Sequence, residues 1–98
     1  MTKETIKQNL ANIRAYNLFL RRNDKLFRQI GQSPSADIAK TYRDILKTGP
    51  PLLAALYEEL YVNGKEQKVL VAEWHSSKAT ICRKHNEMIE YLLAHLEI

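Results

Sequence analysis

The chain has few of the residues that stabilise secreted or membrane proteins. Its 98 residues include a single cysteine, Cys82, so no disulfide can form within the chain. The longest run without a polar residue covers residues 52–57, far below the roughly 18 to 20 apolar residues that span a bilayer. The amino terminus also lacks the apolar segment of a secretory signal. We therefore expect a cytoplasmic protein that does not enter a membrane.

Glycine and proline are also scarce, with three of each, and no segment alternates apolar and polar residues as a half-buried strand does. Apolar residues recur at helical spacing instead. The hydrophobic fraction of 45% and the charged fraction of 27% are close to those of ordinary globular domains, which argues against disorder. The pattern predicts an all-α fold in which residues 1–98 form one domain, a small bundle of about five helices.

The first helix carries apolar residues on two faces. One stripe consists of Ile6, Leu10, Ile13, Tyr16 and Leu20. A second group projects from nearly the opposite side and consists of Leu18, Phe19, Leu26 and Ile30. Either one continuous helix runs to Gly31, which we favour, or the helix breaks within residues 21–24. The second face is either buried at the centre of the bundle or forms an interface with a partner or a second copy of the chain.

Turn-forming residues divide the rest of the chain into further helices. Residues 33–34 (Ser-Pro) start the second helix, and residues 48–51 (Thr-Gly-Pro-Pro) separate it from the third. The third helix is apolar enough to be central, with Leu52 among its core residues, and ends at residues 63–64 (Asn-Gly). A short fourth helix over residues 65–73 precedes a long final helix.

Positive charge is concentrated in the first half of the chain. Residues 1–49 hold ten Lys or Arg against four acids, a balance of +6, whereas residues 50–98 hold five against seven, a balance of −2. The change coincides with the break at residues 48–51, so a basic part (residues 1–48) adjoins a mildly acidic carboxy-terminal unit (residues 51–98). A basic excess of this size permits contact with a polyanion without requiring it.

Residues 67–86 have the layout of a helix-turn-helix. A short helix that turns Leu70 and Trp74 toward the core meets a tight turn, and Ser77 then caps the final helix, which buries Ile81. The outward face of that helix is left for the major groove of duplex DNA. Arginine can bond guanine or phosphate, asparagine can pair with adenine, and small polar or lysine side chains at a helix start suit phosphate oxygens. The candidate DNA-binding residues are Ser76, Ser77, Lys78, Thr80, Arg83, Lys84 and Asn86.

Residues 77–89, with the sequence SKATICRKHNEMI, and the leucine-rich tail that follows them resemble the end of a sigma-70 region-4-like helix-turn-helix domain. The pattern is most similar to small phage regulators of the ArpU/RinA type. The resemblance covers residues 52–97 and implies a DNA-binding transcriptional regulator of phage or mobile-element type. Val71 and Lys84 depart from the pattern, and His75 stands where a turn glycine is usual. Histidine nevertheless tolerates a positive φ better than most residues do.

The alternative function is that of a helical protein-interaction module. Such an adaptor or inhibitor would dock on RNA polymerase, another transcription protein or a host-defence factor. A homodimer, by contrast, would suit paired half-sites on DNA. The acids of the carboxy-terminal unit favour this alternative, because they weaken attraction to phosphate. They include Glu58, Glu59, Glu66 and Glu73. If the unit binds DNA, we expect the basic first half to supply much of the attraction.

No group of residues predicts catalysis, a metal site or a cofactor. Cys82 and His85 lie one helical turn apart, but a zinc site needs further ligands at suitable spacing. Cys82 as a nucleophile would need a positioned base and an oxyanion site, which no motif indicates. We therefore expect a non-enzymatic protein in which His85 is packed in the core.

Overall fold

The computed structural model describes residues 2–22 and 34–96. These residues form five helices, α1 (Lys3–Arg22), α2 (Pro34–Leu46), α3 (Pro51–Tyr57), α4 (Gln67–Glu73) and α5 (Lys78–Leu96). Helix α3 continues directly into a π-helical segment, Glu58–Val62. No strand occurs in these two ranges, so the predicted all-α bundle is confirmed. None of the described helices is long and apolar enough to cross a membrane.

Helix α1 begins where its sequence offers a cap. The hydroxyl of Thr2 accepts a hydrogen bond from the backbone N–H of Thr5 at 3.2 Å, which satisfies one of the amide groups that have no partner within the helix. The predicted apolar stripe faces inward, and its fully buried members are Ile6, Leu10 and Ile13. The two alternatives beyond Arg22, a continuation to Gly31 or a break, and the cap at Ser33 lie outside the described residues.

The principal core joins the basic first part of the chain to the carboxy-terminal unit. Its buried members come from α1, α2, α3 and α5 and are Ile6, Leu10, Ile13, Tyr42, Leu46, Leu53, Tyr57, Met88, Ile89 and Leu92. Helix α5 also covers the boundary between the two parts. The Tyr91 hydroxyl hydrogen-bonds the Thr48 hydroxyl at 2.7 Å, and a Cβ placed on Gly49 would meet the Tyr91 ring at 2.6 Å. Glycine at residue 49 therefore allows the ring to pack directly on the backbone.

The third helix buries a stripe that excludes Leu52. The inward residues are Leu53, Leu56, Tyr57 and Leu60, which follow the spacing of one helical face. Leu52 lies one position before that stripe and is 42% exposed. Its placement in the core was therefore wrong, because a continuous apolar run does not show which of its members starts the buried face.

Side chains of α1 bind the backbone at the end of the π-helical segment. Arg14 donates to the carbonyl oxygen of Gly64 at 2.8 Å, Asn17 to that of Tyr61 at 2.9 Å, and Arg21 to that of Val62 at 3.1 Å. The last carbonyl groups of any helix have no partner within it. These three donors supply partners and hold α1 across the end of the third helix.

Gly64 allows the chain to turn under α1. Its φ is +73°, and a Cβ at this position would lie 2.6 Å from Leu18 Cδ2. Residues 63–64 therefore end the third helix as predicted, with glycine required both by its backbone conformation and by the close approach of Leu18.

The substitution Gly64→Ala should lower the free energy of unfolding by about 1 to 3 kcal/mol, since a left-handed backbone strains an L side chain and Leu18 must move. Urea denaturation followed by circular dichroism measures this change. In a Leu18→Ala background, the same substitution should cost only the backbone part, about 1 kcal/mol. Equal costs in both backgrounds would show that Leu18 does not press on residue 64.

Candidate nucleic-acid interface

Helices α4 and α5 are held by a small apolar cluster of their own. Leu56 and Leu60 from the third helix contact Leu70 of α4 and Ile81 of α5, and all four side chains are buried. The half-buried Tyr61, Val71 and Trp74 pack against them. Because the third helix also contributes to the principal core, the positions of α4 and α5 are fixed relative to the rest of the bundle. We call α4, the turn and α5 the helix pair.

The turn of the helix pair is closed by backbone hydrogen bonds. The N–H of Trp74 donates to the carbonyl of Leu70 at 2.8 Å, and the N–H of Ser76 donates to that of Val71 at 3.2 Å. Between them His75 has a φ of 50°, which is the left-handed conformation typical of the residue after a helix end. The turn therefore forms without glycine, and His75 takes a positive φ, which histidine tolerates better than most residues do.

Ser77 caps α5 as predicted. Its hydroxyl accepts a hydrogen bond from the N–H of Thr80 at 3.1 Å and lies 2.8 Å from the Thr80 hydroxyl. The Ser76 hydroxyl donates to the carbonyl of Trp74 at 3.3 Å. These three candidate DNA-binding side chains thus already have partners inside the protein, and their first role is to start the helix.

The cationic side chains of the helix pair fall into two groups. Lys84 pairs with Glu87 at 3.2 Å and is only about one third exposed, and Lys68 pairs with Glu66 at 3.2 Å. Lys78 and Arg83 are exposed and form no ion pair with any described residue. Counting about 100° per residue, Arg83 lies nearly opposite the buried side of α5, on an outward face that it shares with Asn86.

Acids occupy the same outward face farther along α5. Glu87 lies one turn beyond Arg83, and Glu90 almost two turns beyond it. Glu90 pairs with Lys3 of α1 at 3.2 Å. The cationic part of the face is therefore confined to the first two turns of α5. The spacing of Lys84 and Glu87 could have revealed their pairing, whereas Lys3 and Glu90 are 87 residues apart and no local pattern links them.

The basic residues of α1 do not form one patch with the start of α5. Lys3 and Lys7 lie beside the middle of α5, but each pairs with an acid, Glu90 and Glu4 respectively. Arg14 and Arg21 point to the end of the third helix, where they bond backbone oxygens. These four cations therefore add little free positive charge to the start of α5. Arg22, in the last turn of α1, is exposed and forms no ion pair with a described residue, and Lys25 and Arg28 lie outside the described residues. The attraction that we expected from the basic half of the chain stays a prediction.

The candidate partner face is only partly described. Leu18 is half-buried and packs on Gly64. Phe19 is 43% exposed. Leu26 and Ile30 lie outside the described residues. Only Phe19 of this set thus presents a large apolar surface in the part of the chain that the structure describes.

His85 is packed as predicted, between α5 and the third helix. Its Nε2 hydrogen-bonds the hydroxyl of Tyr61, and the two rings are roughly parallel with centroids 5.9 Å apart. Burial lowers the pKa of His85 below its usual 6.5, and the positive charge of Lys7 adds to this effect. Burial also raises the pKa of Tyr61 to about 12. Cys82 is exposed, and no three potential metal ligands cluster within the described ranges.

The substitution His75→Gly should stabilise the protein by up to about 1 kcal/mol, because glycine adopts a positive φ without the strain of a Cβ. Thermal and urea unfolding measure the change. The matched control is His95→Gly, which places glycine in the last turn of α5 and removes the ring contact with Tyr91. That control should destabilise by about 1 kcal/mol. Destabilisation by both substitutions would contradict the role of His75 in the turn.

The stability of the fold should decrease as the pH falls below about 6.5. Above that pH, His85 is neutral in both states; below it, the unfolded chain takes up a proton before the folded chain does, since the folded pKa is lowered. Urea unfolding between pH 7.5 and 5 measures this slope. His85→Gln should make the slope shallower, because glutamine takes up no proton in this pH range. An unchanged slope in His85→Gln would contradict the assignment.

Comparisons with protein-family models, curated proteins and solved structures find no match to this chain. The similarity of residues 77–89 to phage regulators therefore stays a prediction. The geometry and charge of the helix pair carry the functional interpretation.

Proposed function

We propose that the protein is a DNA-binding transcriptional regulator of phage or mobile-element type, and that the start of α5 enters the major groove of duplex DNA. One observation carries the proposal. The two cations of the helix pair that form no ion pair with a described residue, Lys78 and Arg83, both lie exposed in the first two turns of α5. Those turns are where a recognition helix meets base edges.

The proposal is supported by the different roles that the positions of the candidate residues allow. Arg83 and Asn86 are exposed on the outward face, so Arg83 can make the paired bonds that arginine forms with guanine, and Asn86 those of asparagine with adenine. Lys78, at the first position of α5, suits a phosphate. The hydroxyls of Ser77 and Thr80 hold the helix start in place instead.

The charges around the start of α5 favour a modest affinity for duplex DNA that depends on the DNA sequence. Each phosphate neutralised on duplex DNA contributes about −0.9 to the slope of log affinity against log salt. The phosphate contact assigned to Lys78, with Arg83 on a base edge, therefore predicts a slope of about −1. The neighbouring carboxylates Glu87 and Glu90 reduce attraction to other phosphates. We expect a single chain to bind weakly and to need a second copy or a bound partner such as RNA polymerase for tight binding.

Selection from a random duplex library, followed by fluorescence anisotropy at several salt concentrations, tests the proposal. Arg83→Ala should weaken binding to the selected duplex by about tenfold or more and remove the preference over a scrambled duplex. Lys78→Ala should weaken both duplexes alike and make the salt slope shallower by about one. These two outcomes separate base contacts from phosphate contacts.

Lys47→Ala is the matched control, since Lys47 is an exposed cation directly after α2 that forms no ion pair with a described residue. It should bind the selected duplex as the unmodified chain does. Binding to no duplex at low salt, or an equal loss in Lys47→Ala and Arg83→Ala, would rule out recognition by α5.

A further inference from the structure

A groove runs along α2 on the side that faces α1 and the third helix. At one end is a cavity of about 190 Å³ whose lining includes Leu46, Ala54 and Ala55. At the other end is a cavity of about 260 Å³ whose lining includes Leu20, Ala39 and Val62. Arg43 and Tyr57 line both cavities, so the two adjoin. We call this the α2 groove.

Three cations follow the edge of the α2 groove. Lys40 and Arg43 on α2 and Lys47 directly after it are spaced three and four residues apart, and the N–H of Lys47 still donates to the carbonyl of Arg43 at 3.1 Å. The three side chains therefore form one row about 10 Å long. Arg43 pairs at 2.8 Å with Glu58, which also lines the groove. Lys40 and Lys47 are exposed and form no ion pair with any described residue. Asp44 lies on the side of the row away from the groove and lines neither cavity.

The two ends of the groove are mainly apolar, whereas its edge is positive. An apolar cavity of roughly 150 Å³ accommodates a benzene-sized ring, so each end has room for one large apolar side chain. Carboxylates between two such side chains would meet the cation row. The chemistry that matches both features is an acidic peptide segment with two large apolar anchors.

We propose that the α2 groove docks an acidic, apolar-anchored segment of a partner protein. Two other occupants match less well. The phosphate backbone of DNA has no apolar groups for the cavities. A second copy of the chain does not offer such a segment in its described residues, because its exposed large apolar side chains, Phe19 and Leu52, have no Asp or Glu within four described residues on either side.

The proposed docking site is separate from the proposed DNA-binding face. No residue that lines either cavity belongs to α4 or α5. Variants of one face can therefore test it without changing the other. The docking proposal does not depend on whether α5 binds DNA.

Display of random 12-residue peptides, selected on the immobilised full chain, tests the proposal. Enriched peptides should carry two large apolar residues with Asp or Glu between them. A fluorescein-labelled synthetic copy of the most enriched peptide then gives the affinity by anisotropy. The double charge reversal Lys40→Glu with Lys47→Glu should weaken binding by about tenfold, and Ala55→Leu should also weaken it by partly filling the smaller cavity.

Lys68→Glu with Lys78→Glu is the matched control, since it makes the same change in net charge outside the groove. It should bind the peptide as the unmodified chain does, and Arg83→Ala should do so too. Enrichment of peptides without acids, an equal loss in both double variants, or self-association that buries the groove would overturn the proposal. So would loss of duplex-DNA binding in the Lys40 and Lys47 variant, because the row would then be a phosphate surface.

Discussion

The structure depends on how the third helix ends. The π-helical segment and the turn after it leave carbonyl oxygens that need donors, and α1 supplies them. Asn17 and Arg21 bond carbonyl oxygens of the segment, and Arg14 bonds that of Gly64 in the turn. On another side, Lys65 bonds both Glu59 and Glu73, which ties the end of the third helix to α4. These bonds lower the pKa of Glu59 and raise that of Lys65. Segments of π-helix often occur at functional sites, and here the segment fixes the base of the helix pair.

This arrangement explains where positive charge remains available. Cations that bond the third helix or pair with acids are already partnered, and a ligand would have to displace those partners. Two surfaces then hold pairs of exposed cations that have no ion pair or hydrogen-bond partner among the described residues. One is the start of α5, with Lys78 and Arg83, and the other is the edge of α2, with Lys40 and Lys47. Arg22, in the last turn of α1, is a further exposed cation without an ion pair in the described residues. The total charge of +4 predicts neither surface, because it counts partnered and unpartnered side chains alike.

Features governed by neighbours along the chain could be predicted from the sequence. The cap at Ser77 and the left-handed turn at His75 depend on residues within one or two turns, and both occur in the structure. The orientation of Arg14 was beyond such reasoning, since its partner is the carbonyl of Gly64, 50 residues away. Leu52 shows a different limit of sequence-based prediction. In a continuous apolar run, the packing of the neighbouring helices determines which residues are buried, and the run itself does not show this. The local geometry of the candidate site was thus predictable from the sequence, whereas the pairing of its charged side chains was not.

The two proposed surfaces share the third helix, which gives Tyr57 to the α2 groove and Leu56 and Leu60 to the cluster beneath the helix pair. Sharing a helix does not by itself create allostery, because a ligand shifts an equilibrium only between states that it binds differently. The buried contacts of the third helix define one packed arrangement. A partner in the α2 groove that also contacts DNA would therefore strengthen DNA binding by tethering, through a raised local concentration of α5 near its site. The gain in DNA affinity then depends on the length and flexibility of the segment that joins the groove-binding part of the partner to its DNA-contacting part. Cleavage of that segment would abolish the gain.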